Sequence, residues 1–303
     1  MPSLPGPLFD PQVLASIVDL EHVARVTIDG TVAGLHRSPF HGYSAEFSQY
    51  REYRPGDDVK YVDWKLFGRT DRFYTKQYRE TTNTTAELVV DASGSMAYRG
   101  ASGVSKLEYA RLLGAALVYL HVARQGDAAG FVAYDAGVRH YIPCRSGRLH
   151  LRRLLVALSA LQPAGVTAAA AGFRRAVDLL RRRGILLVVS DFYDEGEAVA
   201  HELTRAVRMG HDVAVFHVLT REELEFPFQS DVEFRDLETG RTVLTRPTTV
   251  GASYRRNVAA FIERWRTRSE GLGIDYTLLT TDTPLDTALR RYLLGRPAGR
   301  SRR

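Results

Sequence analysis

Three oxygen-bearing side chains stand at every second position where a short apolar run ends: Asp91, Ser93 and Ser95, after Leu88-Val89-Val90. One carboxylate and two neutral hydroxyls make a poor nucleophile-and-base set. They suit instead a small hard cation that takes oxygen ligands and keeps some of its waters, as Mg²⁺ does. A second apolar run, Ile185 to Val189, closes the same way in Ser190-Asp191. Between the two, Gly165-Val166-Thr167 supplies a further hydroxyl at the start of a helical pattern. The plainer reading is that both acids cap helices and the serines make turns.

Continuous apolar runs of this kind read as strands buried on both faces of a parallel sheet. Ligands of open α/β sheets collect outside the carboxyl ends of such strands, which places Asp91 and Asp191 at a sheet rim. From Glu87 onward strand and helix patterns alternate, the mark of a mostly parallel sheet flanked by helices. The spacing predicts helices over Lys106–Arg124, Arg148–Leu161, Ala168–Arg183, Glu197–Met209, Ser253–Glu270 and Pro284–Leu294, with Gly184 stopping the third. Strands are expected over Val213–Leu219 and Asp275–Leu279, and Asp127–Tyr134 with Val138–Ile142 reads as an antiparallel edge hairpin. Residues 221–250 break the rhythm. Val232–Asp236 and Thr242–Thr245, around Glu238-Thr239-Gly240, form a hairpin insertion expected to join the N-terminal β region.

Before the main domain, Asp10 to about Arg25 predicts a helix, with Pro11 in its first turn and Gly30 and Gly34 breaking it. Ser44–Tyr53, Val59–Trp64 and Phe73–Tyr78 are the expected strands, with a turn at Tyr53-Arg54-Pro55-Gly56-Asp57-Asp58. The division expected is 1–84 for the helix and β-rich region and 85–303 for the α/β domain. Arg51, Arg54, Asp57, Asp58, Asp63 and Arg69 alternate in sign, which favours an ion-pair network tying the regions together. An exposed surface of Trp64, Tyr53 and the arginines is the rival reading.

The chain has 303 residues, 45% of them hydrophobic and 25% charged, enough for a sizeable core. No apolar run approaches the roughly 18–20 residues that cross a bilayer, and the start shows Pro2, Pro5 and Pro7 in place of a signal pattern. The single Cys144 forms no internal disulfide and fits a reducing, cytoplasmic setting. The net charge of +6 permits contact with nucleic acid without requiring it. Part of that excess is Arg296, Arg300, Arg302 and Arg303, which read as a tail. Arg152-Arg153, Arg174-Arg175 and Arg181-Arg182-Arg183 read as solvated helix faces rather than a nucleic-acid patch. Histidines are scattered with no metal-ligand spacing.

In this context the D-x-S-x-S loop resembles the metal-ion-dependent adhesion site of von Willebrand factor A domains. The resemblance implies a divalent cation (Mg²⁺, or Mn²⁺ or Ca²⁺) held by Asp91, Ser93, Ser95, Thr167 and Asp191. It departs from that family at Phe192, where a Gly is usual, a change expected to narrow the site or alter how Asp191 reaches the metal. An incompletely coordinated cation there would accept an Asp or Glu from a partner. The runs Leu35-His36-Arg37-Ser38, Gly42-Tyr43-Ser44-Ala45-Glu46-Phe47, Tyr50 to Asp58, Asp63-Trp64-Lys65 and Gly68-Arg69-Thr70-Asp71 are similar to those of the bacterial family called domain of unknown function 58. That resemblance spans roughly Asp10 to Leu294. It implies a von Willebrand factor A-like adaptor without enzymatic activity, associated with MoxR-type AAA+ ATPases that act as chaperones on other proteins.

Two rivals stand beside the adaptor reading. A hydrolase or phosphoryl-transfer enzyme could use Asp91 with a cation. Nucleophilic-Asp phosphatases commonly carry a second acid two residues on, where this chain has Ser93, and neither a G-x-S-x-G elbow nor a P-loop Lys motif is present. A nucleic-acid binder would follow from the basic balance and would show a steep salt dependence.

Overall fold

The computed structural model describes residues 11–34, 45–53, 62–80, 84–164, 169–193, 197–237 and 239–295. Helix α1 (Pro11–Gly34) is longer than its sequence suggests, running through Gly30. A glycine inside a helix costs about 1 kcal/mol, whereas burying one large aliphatic side chain contributes about 1.5–3 kcal/mol. Leu20, Ala24 and Ile28 are all buried, so packing outweighs the glycine. Strands β1 (Ala45–Glu52) and β2 (Tyr74–Glu80) pair antiparallel. Of the expected strand Val59–Trp64, residues 59–61 lie outside the described residues; Val62 makes a bridge to Thr75, and Trp64 opens helix α2 (Trp64–Thr70) instead of continuing a strand. The reason is Asp63, whose carboxylate accepts the N–H groups of Lys65 and Leu66 at 2.9 and 3.1 Å and caps the helix. Asp63 also accepts the Tyr50 hydroxyl at 2.9 Å. Arg54, Asp57 and Asp58 of the expected ion-pair network, and the turn that holds them, lie outside the described residues.

The main sheet begins with β3 (Thr85–Asp91). A 3₁₀ turn (Gly94–Ala97) leads to α3 (Lys106–Tyr119), whose start is held by a capping box between Ser105 and Glu108. Beyond Tyr119 the expected helix widens into a π turn (Leu120–Gln125), which puts the His121 carbonyl 2.8 Å from the Asp127 N–H. Strands β4 (Ala128–Tyr134) and β5 (Val138–Arg145) form the edge hairpin, followed by α4 (Arg148–Ser159) and α5 (Ala169–Asp178). Helix α5 ends well before Gly184, so that glycine is no helix stop. It lies against β3, where an added Cβ would come 2.2 Å from the Thr85 carbonyl oxygen. Then follow β6 (Ile185–Ser190), α6 (Glu197–Arg208), β7 (Asp212–Leu219) and the short α7 (Arg221–Glu225). Strands β8 (Val232–Arg235) and β9 (Thr242–Thr245) precede α8 (Pro247–Leu272), β10 (Asp275–Thr280) and α9 (Leu285–Gly295).

Six strands form one sheet in the order β10-β7-β6-β3-β4-β5, with every neighbour parallel except β5 against β4. Residue alternation sends Leu88, Val90, Leu187 and Val189 to one face, with residues of α1, α3, α4 and α9. Val89, Leu186 and Val188 go to the other, with α5, α6 and Trp265 of α8. Helix α1 therefore shares the core of the main domain. The β8–β9 hairpin forms its own two-stranded sheet and does not extend β1–β2, contrary to the sequence expectation. It is tied to α8 through aromatic rings: Phe234 stacks on Phe226 at 5.5 Å, and Phe226 packs on Tyr254 of α8 at 4.5 Å, while Val243 and Leu244 stay exposed.

Candidate functional site at the β3–β6 rim

The chain leaves β3 outward through β4 and β5, returns to the other side of β3 for β6, and continues outward through β7. The strand order thus reverses between β3 and β6, the switch point where open α/β sheets bind ligands. Asp91 ends β3 and Asp191 directly follows β6; the register sets Val90 beside Val189. Both acids are buried.

Local hydrogen bonds fix the first loop. Asp91 Oδ1 accepts the Ser93 N–H at 2.9 Å, an Asx turn, and the Ser93 and Ser95 hydroxyl oxygens are 3.0 Å apart. Asp91 Oδ2 accepts the Ser190 hydroxyl at 2.6 Å, and Ser190 Oγ in turn accepts the Phe192 N–H at 2.9 Å. Ser95 also hydrogen-bonds to Asp191, which accepts the Tyr193 N–H at 3.3 Å. Four of the five residues singled out by sequence are therefore brought together. Thr167 lies outside the described residues; Ala164 donates its N–H to the Ala92 carbonyl at 2.9 Å.

Three participants were not foreseen from sequence. Ser190 bridges the two strand ends. Lys106, only 1% exposed, places its ammonium 2.6 Å from Asp191 Oδ2 and 2.7 Å from Glu223 Oε1. Glu223 is itself fixed by a capping box with Thr220, whose N–H it binds at 2.6 Å through its other oxygen. The Tyr193 ring covers the ammonium at 4.8 Å. The only sequence hints were a Lys in a helix first turn, where the dipole disfavours it, and a T-x-x-E capping pattern.

Burial and the neighbouring Asp191 charge push the Asp91 carboxyl up to about 7, against hydrogen bonds from Ser190 and Ser93. Asp191 moves the other way: burial opposes its charge, but the Lys106 ammonium and the hydrogen bonds hold it below the usual range. Burial likewise disfavours the Lys106 charge, and Asp191 and Glu223 together lift it above its ordinary value. Glu223 offsets Lys106, leaving two acids side by side and a region short of positive charge next to Asp91. The donors fit a hard divalent cation: oxygen only, two carboxylates and a pair of hydroxyls. Among the described residues no group of three His, Cys, Asp or Glu offers an alternative.

Phe192 does not narrow the rim. Its backbone is left-handed (φ 53°), the conformation that favours the Gly usual there, and its ring turns into the second core cluster, 4.6 Å from Trp265. His217, on β7 beside Ser190, is buried and pushed down to about 4, chiefly by burial, and its Nδ1 lies 2.6 Å from the Tyr276 hydroxyl. Beside the rim opens a pocket of about 510 Å³, lined in part by Ser95, Lys106, Tyr98, Tyr193, Phe226 and Tyr254. The arginines of α4 and α5 (Arg152, Arg153, Arg174 and Arg175) are exposed opposite buried stripes, with Arg174 3.0 Å from Glu202. No helix among the described residues is long and apolar enough to cross a membrane.

The sheet order and strand directions, with helices on both faces, define an α/β protein built on a mostly parallel sheet whose switch point carries two acids. Solved structures similar to it include the conserved hypothetical protein BatB from Bacteroides thetaiotaomicron, with TM-score 0.45, 18% identity, and 70% of this chain and 97% of that one covered. The Rpn10 VWA domain is similar at TM-score 0.43 and 9% identity, over 73% of this chain and 98% of that one. The model of the family "Protein of unknown function DUF58" matches residues 49–266, and the chain belongs to that family. The uncharacterized protein Rv1480 of Mycobacterium tuberculosis is 30% identical over 243 residues, 78% of this chain and 74% of its own length.

Proposed function

We propose that this chain is a non-catalytic, cytoplasmic adaptor that binds proteins at the β3–β6 rim through a divalent cation, Mg²⁺ or else Mn²⁺ or Ca²⁺. Asp91, Ser93, Ser95 and Asp191 would hold the cation, together with Thr167 on the resemblance stated above. Bound there, the ion supplies an electrophilic seat for an Asp or Glu of a partner. The observation that carries the reading is the convergence of two buried acids and two hydroxyls at the switch point. Catalysis is disfavoured by the same geometry. Both Asp91 oxygens are engaged, by the Ser93 N–H and by the Ser190 hydroxyl, which ties up the carboxylate that a nucleophilic mechanism would need free. The partner indicated by the family resemblance is a MoxR-type AAA+ ATPase acting in assembly or activation of client proteins.

The test is co-expression of the chain with a MoxR-type ATPase from the same genome, followed by affinity capture with magnesium or excess chelator. Wild type should retain the ATPase only with magnesium, and Asp91→Ala, checked for folding by circular dichroism, should lose it. Retention in chelator, or by Asp91→Ala, contradicts the reading. Turnover of a generic phosphate ester that Asp91→Asn abolishes would favour the enzyme instead.

A further inference from the structure

Lys106 sits where several general rules say a lysine should not. It is the first residue of α3, at the positive end of the helix dipole, and lysines are almost never fully buried unless paired. Its ammonium joins three separate pieces of the rim: the start of α3, Asp191 after β6, and Glu223 in α7 after β7. The stem is 1% exposed, and the Tyr193 ring closes over the charge at 4.8 Å. Asp191 therefore already has a cation on one oxygen. A divalent ion drawing on the same carboxylate meets a like charge in contact with it, and one of the two must yield. Glu223 offers the lysine a second seat 2.7 Å away that does not move, because the capping box pins the other carboxylate oxygen.

We infer that Lys106 is the resident counter-cation of the rim: its ammonium holds Asp191 until a divalent ion displaces it toward Glu223, so that ion binding and release of Lys106 from Asp191 are one event. The inference rests on Asp91, Ser93, Ser95 and Asp191 being the ion's ligands, and it adds a built-in brake on their occupancy. The rim would fill only where divalent ion is plentiful or a partner's carboxylate helps to hold it.

The experiment is Mn²⁺ titration of the full chain followed by electron paramagnetic resonance, comparing wild type with Lys106→Met and Lys106→Gln. The glutamine keeps a hydrogen-bond donor and guards against loss of fold. Neutralising Lys106 should tighten Mn²⁺ by roughly ten- to a hundred-fold, the scale on which a charge a few ångströms away changes a carboxylate's hold on a cation, and adding Asp91→Asn should abolish the gain. Equal affinity in wild type and both variants overturns the brake while leaving the ligand set intact. Absence of Mn²⁺ binding in all three overturns the ligand set, and the brake with it. A measurement on wild type alone covers the case in which neither variant folds: reductive methylation of Lys106, followed by mass spectrometry. It should speed up at saturating Mn²⁺ as the amine leaves Asp191; an unchanged rate overturns the inference.

Discussion

The Lys106 ammonium lies 2.6 Å from Oδ2 of Asp191, and neither side chain is more than 2% exposed. Among the described residues no cation pairs with the other acid, Asp91, which is bonded instead to the Ser190 and Ser93 hydroxyls and to the Ser93 N–H. Two acids at adjacent strand ends are thus inequivalent: Asp191 is charged and paired, while Asp91 is the one whose charge the fold opposes.

That inequivalence makes the two asparagine variants differ. Asp191→Asn leaves a buried ammonium with Glu223 alone and should cost about 3–5 kcal/mol, the range for breaking a buried pair. Asp91→Asn keeps the shape and removes a charge that the fold opposes, so it should be tolerated and cost far less than Asp191→Asn. Urea denaturation of both at neutral pH checks the order; equal losses would contradict it.

A half-buried acid on the same strand as Asp91 makes stability depend on pH. Glu87 on β3 is pushed up from about 4.5 to about 7, chiefly by burial and against a hydrogen bond from Cys144. Among the described residues its buried Oε1 has no hydrogen-bond partner, and Oε2 lies 2.8 Å from the Cys144 sulfur. A carboxyl raised in the folded state favours folding at low pH, and that contribution is lost as pH climbs from about 4.5 through about 7. The full loss is about 3 kcal/mol. Glu87→Gln should flatten the decline of unfolding free energy between pH 5 and 8; an identical slope would contradict the assignment.

Phe192 combines a costly backbone with a favourable ring. Its left-handed φ of 53° costs about 1–2 kcal/mol, less than the loss of about 3–5 kcal/mol when a buried Phe is truncated. Phe192→Gly should therefore destabilise by about 1–4 kcal/mol, and Phe192→Ala by more, since it loses the ring and keeps the strain. Thermal denaturation of the pair gives the ranking; a glycine variant as stable as wild type would contradict it.

The parts legible in the sequence are those set by local pattern. Strands β3, β6 and β7 read as apolar runs because both faces of each are covered, and Asp91 and Asp191 announced themselves by ending two of them. What was not legible depends on distant segments. Lys106 looks like any surface lysine until α7, more than a hundred residues on, brings Glu223 to it. Gly184 has the look of a helix stop, yet its role comes from Thr85 on another strand. Gly30 looks like a break because its cost is local, while the burial that overrides it is shared with other helices. The 221–250 hairpin carries its own aromatic contacts to α8 and needs no partner sheet.

The rim's occupancy can be seen by anomalous diffraction at the manganese edge, from crystals of the wild-type chain at saturating Mn²⁺. A peak is expected in contact with the Ser93 and Ser95 hydroxyls between Asp91 and Asp191, with Lys106 turned to Glu223. Crystals that show no peak at this rim, with Lys106 still bonded to Asp191, would contradict that arrangement.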